Sequence, residues 1–196
     1  MKLTALFLLF ATIIAFSQEI PSKEHQIAAA VLAAPPEFRE GATVLGYDSE
    51  GKFVTLRTGT NSMICIADNP FSEGFNAAAY HKDLEPFMAR GRELKAEGKS
   101  FQERFEIRGE EAKSGKLKMP ENGSTLHILY GKEGKFDPDS GKVVNAIYRY
   151  VVYVPWATTE STGLPSAPTV NGGPWIMDPG THRAHIMISP PAETQK

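Results

Sequence analysis

The sequence predicts an α+β domain in which one mostly antiparallel sheet packs against amphipathic helices. Three observations predict it. Runs rich in β-branched and apolar residues, punctuated by Gly, Asp and Asn, occupy residues 42–66; apolar residues recur at three- and four-residue steps through residues 83–113; and strand-like runs return from Ser124 onward. Strands that surround a block of helices, instead of alternating with it, belong to the α+β class and not to a chain of βαβ units.

The chain begins with MKLTALFLLFATIIAFS, one lysine ahead of an apolar run that closes on Ala15-Phe16-Ser17. Residues 1–17 therefore read as a secretory signal peptide cleaved before Gln18. The apolar core from Leu3 to Phe16 falls short of the roughly 20 residues that a membrane-spanning helix needs, and no later stretch is long and apolar enough to span. Residues 18–196 are expected to fold as a single globular domain, in the periplasm or outside the cell.

Each element follows in order. Ser22 is an expected N-cap for an alanine-rich helix of about three turns, stopped by Pro35-Pro36. Turns at Asp48–Gly51 and Thr58–Asn61 divide the next stretch into three strands, expected as a meander. Leu84, Phe87, Met88, Gly91 and Leu94 mark the inner face of one helix. From Ser100 a second helix should turn Phe101, Phe105 and Ala112 inward and a dense Glu/Arg/Lys face outward to solvent. In STLHILYG, Leu126, Ile128 and Tyr130 share a face opposite His127; KVVNAIYRYVVYVP reads as one central strand covered on both sides. A long proline-rich loop, from Ala157 to Pro174, is flanked by Trp156 and Trp175 and leads to two terminal strands, Trp175–Asp178 and Ala184–Ile188. Loops of that length inside compact domains are commonly functional or mobile.

The formal charge is −2, and loss of the leader removes only Lys2, so the mature chain is one unit more acidic. That balance gives no electrostatic case for nucleic acid or anionic membrane as a partner. Cys65 is the only cysteine, so no disulfide closes within the chain; its setting in SMICIADNP reads as a strand apolar on both faces and the thiol as buried and inert.

The densest polar group is Asp178, His182, Arg183 and His185. Two histidines and a carboxylate could ligate a transition metal, or a histidine oriented by the aspartate could act as a general base in a hydrolase. The spacing matches no familiar zinc pattern, and a further ligand would have to come from His81, His127 or Asp68. The alternative is a Pro-Gly hairpin turn capped by Asp178. Arg149 interrupts an apolar strand and requires a carboxylate or a bound anion as partner. If its face also received His127, the sheet would carry a small polar pocket among tyrosines. Asp137–Lys142 lacks the glycine position and terminal glutamate of a calcium loop, and Asn122-Gly123-Ser124 is a glycosylation acceptor only in a eukaryotic secretory pathway. Phosphate-loop, nucleophile-elbow and HExxH motifs are absent, and the sequence names no cofactor.

The stretch LRTGTN at Leu56–Asn61, followed by Cys65 and Asp68, and then GLP, NGGPWIMDPGT and AHIM, resembles a group of uncharacterised exported bacterial proteins. The resemblance covers both ends of the mature domain and leaves out the charged middle helix. It implies bacterial origin and export and no activity. Members of that group often carry a second cysteine soon after the first; the corresponding AAAYHKD at Ala77–Asp83 has none. The expectation is an exported domain that binds a small ligand or a protein partner near the long loop, with Arg149, His127, Trp156, Trp175, Asp178, His182 and His185 as candidate contacts. The alternatives are a hydrolase, with or without metal, built on Asp178, His182 and His185, and a structural domain with no small-molecule site.

Overall fold

The computed structural model describes residues 19–192; the leader lies outside them. The fold is α+β, as expected. The first helix, α1 (Lys23–Ala30), is capped by Ser22, whose hydroxyl accepts from the His25 N–H, and tightens into a 3-10 turn at Val31–Ala33 before the prolines. Its one buried polar side chain, Gln26, acts like an extra strand residue: its amide donates to the carbonyls of Pro21 and Tyr47, both at 2.8 Å, and its carbonyl accepts from the Tyr47 N–H. Gly46 must be glycine for this to happen, because a Cβ there would lie 2.6 Å from the Gln26 side-chain oxygen.

Strands β1 (Thr43–Tyr47) and β2 (Phe53–Arg57) form a hairpin around Asp48, whose carboxylate accepts from the Glu50 and Lys52 N–H groups. Here the meander expectation needs correction. Strand β3 (Met63–Ile66) lies on the far side of β1 from β2 and runs parallel to β1. The linking segment crosses the start of β1: Gly59 donates to the Thr43 hydroxyl, Thr60 and Asn61 donate to the Gly41 carbonyl, and Arg57 donates to the carbonyls of Ala42 and Arg39. Those bonds reward the crossing, and the turn composition alone carried no information about it.

Strand β4 (Phe75–His81) was not expected, since its alanines have low strand propensity. Packing explains it. Ala77 and Ala79 are fully buried against Ala29, Ala30, Ala33 and Ala34, so helix and sheet approach closely through small side chains. The sheet continues through β5 (Ser124–Gly131), and β6 (Lys135–Asp137) pairs as a small hairpin with β7 (Lys142–Val144), the first residues of the expected KVVNAIYRYVVYVP strand. The expected single strand at 142–154 is thus split. Asn145 adopts a φ of 54°, and the chain restarts as β8 (Ile147–Tyr153). The terminal strands β9 (Trp175–Met177) and β10 (His185–Ile188) complete an eight-stranded sheet of order β2-β1-β3-β4-β5-β8-β10-β9, antiparallel at every pairing except β1 with β3. Among the described residues no helix is long and apolar enough to cross a membrane.

Helices α2 (Glu85–Ala96) and α3 (Phe101–Lys113) cover the sheet face opposite α1, over a cluster that includes Tyr80, Leu84, Phe87, Leu126, Val151, Tyr153 and Met187. The charged face of α3 is only partly solvated. Arg108 and Glu111 are buried, whereas Phe101, expected inward, is 56% exposed. Glu111 receives three hydrogen bonds from Arg90 of α2, at 2.9, 3.0 and 3.2 Å, and these hold its carboxyl below the usual range. Arg108 lies 4.0 Å above the Phe87 ring and donates to the carbonyls of Arg104 and Phe87; burial pulls its pKa down to about 10.

Candidate functional site

The polar turn between β9 and β10 and the region around Arg149 lie on the α2–α3 side of the sheet and are built differently. In the turn, Asp178 holds a φ of 52° and its carboxylate is paired with the Arg183 guanidinium, which also faces the Phe101 ring at 5.3 Å. The Asp178 carbonyl accepts from the Thr181 hydroxyl at 2.8 Å. Asp178 therefore braces the turn and Arg183, and it orients neither histidine.

His182 is 2% exposed and is enclosed by the rings of Phe105 at 4.9 Å, Phe87 at 5.9 Å and Trp156 at 6.3 Å. The notch that receives it is Gly109, where a Cβ would sit 3.2 Å from the His182 Nδ1. Burial first, then the nearby Arg108 and Arg183 charges, push its pKa down to about 4. Its Nε2 is the one buried side-chain polar atom without a hydrogen-bond partner among the described residues. His185, 3% exposed, stacks on Tyr153 at 5.1 Å, and its Nδ1 is 2.7 Å from the Arg183 carbonyl. Burial lowers its pKa too. Both imidazoles thus border one aromatic cluster, yet neither has the solvent access that a general base needs to reach substrate. Among the described residues no group of three or more His, Cys, Asp or Glu is placed to hold a metal ion, so His182, His185 and Asp178 are not gathered into a ligand set.

Trp156 is 42% exposed and adopts a φ of 67°, rare for a bulky side chain. Two bonds fix it: its N–H donates to the Thr181 carbonyl at 2.8 Å, and the neighbouring Ala157 carbonyl accepts from Gly180 at 2.7 Å. Its ring lids His182. His127 faces the other side of the sheet from Arg149: the register sets His127 opposite Tyr150 and Ile128 opposite Arg149. The joint His127–Arg149 pocket therefore does not form, because the strand period of two sends neighbouring registers to opposite faces. His127 packs edge-on to Tyr150 at 5.6 Å, and burial lowers its pKa.

Arg149 lies on β8, an interior strand, and opens onto a cleft of about 560 Å3. The long loop begins with a short helix, α4 (Thr159–Thr162), whose capping box joins Thr158 and Ser161. It is then tied to the sheet edge where Ile176 donates to the Pro165 carbonyl. Its turn from Pro168 to Gly173 overhangs the cleft, whose sheet wall is Trp175, Met177 and Met187. Arg149 donates through Nε to the Ser189 hydroxyl at 3.2 Å and through Nη2 to the Tyr130 hydroxyl at 2.7 Å, and stacks on the Tyr130 ring at 4.7 Å. Trp175 is thus the second sequence-predicted residue at this place. Tyr130, Met177, Met187 and Ser189 were missed, since only strand register brings them to Arg149; the alternation that set Tyr130 beside Ile128 was the one available signal.

A larger hollow of about 720 Å3 runs between the start of α2 and residues 118–122. There Lys82 and Lys118 face Asp83, Glu85 and Glu121, so its charges are self-compensated, and Glu85 is already bonded to Tyr80 and Arg92. No family model, curated protein or solved structure matches this chain.

Proposed function

We propose that this chain is an exported small-ligand-binding domain whose site is the cleft between the Pro168–Gly173 turn and the sheet wall of β9 and β10. The observation that carries the reading is the cleft's construction: an apolar wall of Trp175, Met177 and Met187, one directed cation at its floor, and a roof from the long loop. Ligand sites commonly combine apolar walls with few convergent polar groups at this size. Export is supported by the apolar leader at residues 1–17 and by the resemblance of the LRTGTN and NGGPWIMDPGT stretches to exported proteins. The Asp178, His182 and His185 set is better read as the packing that fixes the β9–β10 turn, so no observation favours the hydrolase alternative.

A fragment screen by protein-observed NMR tests this. Supporting hits move the Trp175 indole and the Gly172 and Gly173 amides together, and Val170→Trp, which fills the cleft from its 66%-exposed roof position, abolishes them. A screen whose hits all fall elsewhere, or that yields none, refutes the proposal.

A further inference from the structure

The described chain contains eight arginines, and in seven the guanidinium is received by a carboxylate or a backbone carbonyl. Arg90, Arg92 and Arg183 meet carboxylates. Arg39, Arg57, Arg104 and Arg108 end on backbone carbonyls, where they tie loops and helix ends together. Arg149 differs from all seven. Its acceptors are two neutral hydroxyls, Tyr130 and Ser189, and no carboxylate or carbonyl receives it among the described residues.

A hydroxyl that accepts from a guanidinium keeps its own hydrogen to donate. Neither Tyr130 nor Ser189 donates to another described residue. Arg149, with Ser189 beside it on the cleft lining, therefore presents donors without an anionic acceptor. Among the described residues no acidic side chain and no second cation line the cleft; its other polar members, Thr169 and Asn171, are neutral. A partly buried cation without a counter-charge is costly, and a planar guanidinium matches a carboxylate in a two-point fork. One cation in an apolar cleft suits a single negative charge; a dianion would enter with half its charge uncompensated.

We infer that the ligand of this cleft is a small organic carboxylate carrying an apolar or aromatic body, its carboxylate on Arg149 and Ser189 and its body against Trp175, Met177 and Met187. This rests on the cleft being a ligand site.

The test compares acid–amide pairs of nearly equal shape: hexanoate with hexanamide, phenylacetate with phenylacetamide, and indole-3-acetate with indole-3-acetamide, each titrated near neutral pH onto isotope-labelled protein. The Trp175 indole and Gly173 amide report occupancy. The expected result is that in at least one pair the acid binds at least ten-fold more tightly than its amide, that Arg149→Met erases the preference, and that Arg149→Lys keeps part of it. Arg149→Met should fold, because an apolar side chain of similar length replaces a charge with no carboxylate partner; its thermal midpoint and amide spectrum verify this. If acids and amides bind the cleft equally in every pair, or the preference survives Arg149→Met, the carboxylate inference falls while the ligand site stands. If neither these compounds nor the wider fragment set moves the cleft signals, both fall.

Discussion

Acidification should destabilise this domain through His182, and one substitution should remove that sensitivity. Folding carries the imidazole from water into the Phe87, Phe105 and Trp156 enclosure and lowers its pKa from 6.5 to about 4. Above pH 6.5 the ring is neutral in both states and contributes no pH dependence. Between pH 6.5 and 4 the unfolded chain takes up a proton that the folded chain refuses, so stability falls as pH falls; below 4 both states are charged and the loss is complete. At about 1.4 kcal/mol per pKa unit the full loss is about 3 kcal/mol, most of it present by pH 4.5. A single domain is typically stable by only about 5–15 kcal/mol, so this is a large fraction. His127 and His185, whose pKa values are also lowered by burial, act in the same direction. The His182 share must therefore be isolated by difference. His182→Leu keeps an apolar body in the notch and discards the unpartnered Nε2, so near pH 7 its stability should match the parent within about 1 kcal/mol. Urea unfolding of both proteins at pH 7.0, 5.5 and 4.5 gives the comparison. The variant should lose less stability between pH 7.0 and 4.5 than the parent, by about 2.5 kcal/mol. Parallel pH profiles would refute the reasoning, as would an NMR titration in which His182 protonates near 6.5 in the folded state.

Further outcomes follow from the same packing. Cys65 is fully buried and its pKa is pushed up to about 12 by burial, so a disulfide-exchange reagent should label it only through opening of the sheet, at a rate that rises with denaturant; rapid labelling in native buffer contradicts this. In Gly109→Ala, contact with His182 should cost about 1–3 kcal/mol against the roughly 1 kcal/mol that alanine gains over glycine in a helix, a net loss of up to about 2 kcal/mol, and His182→Ala in the same chain should recover part of that loss. Purified exported protein should have an intact mass that begins at Gln18; the full-length mass would contradict leader cleavage.

Elements carried by local pattern were readable from sequence, and elements carried by long-range pairing were not. The Ser22 cap, the α2 stripe through Leu84, Phe87 and Leu94, and the alternation of Leu126, Ile128 and Tyr130 are local, and each recurs in the fold. Strand β4 escaped because its alanines are in a strand only by virtue of the alanines of α1 and its 3-10 extension opposite. Gly91 and Gly109 expose a subtler limit. Gly91 fits an apolar helical face by period, yet what occupies the space at the two glycines is polar: the Arg108 guanidinium at Gly91 and the His182 imidazole at Gly109. For the site, Arg149 was singled out because a cation within an apolar strand demands a partner, and Trp175 because it borders the loop. Which partners Arg149 meets depended on the β5–β8 and β8–β10 registers, which no single strand encodes.

The two stretches that carry the resemblance to exported proteins do different physical work, and this difference is itself testable. NGGPWIMDPGT supplies Gly172, Gly173, Trp175 and Met177 to the cleft and then Asp178 to the turn brace. LRTGTN touches no part of the cleft. It is the clasp that carries the chain across the start of β1, with Asn61 donating to the Phe38 carbonyl at 2.7 Å and accepting from the Met63 N–H at 2.9 Å. Gly59 is pressed directly on the Ala42 and Thr43 backbone, so a Cβ there has no flexible neighbour to displace. Gly59→Ala must therefore move backbone, and Asn61→Ala must leave a carbonyl and an N–H without their side-chain partner. The expected costs are more than about 3 kcal/mol for the first and about 1–3 kcal/mol for the second. Chemical denaturation measures both, and cleft occupancy by the acid probes provides the contrast. In Asn61→Ala, provided it folds, the affinity for those probes should equal that of the parent, because the clasp lies on the β1–β3 half of the sheet and the cleft on the β8–β9 half. A variant that keeps its stability, or that folds and loses probe affinity, would show that LRTGTN does something other than hold the crossing.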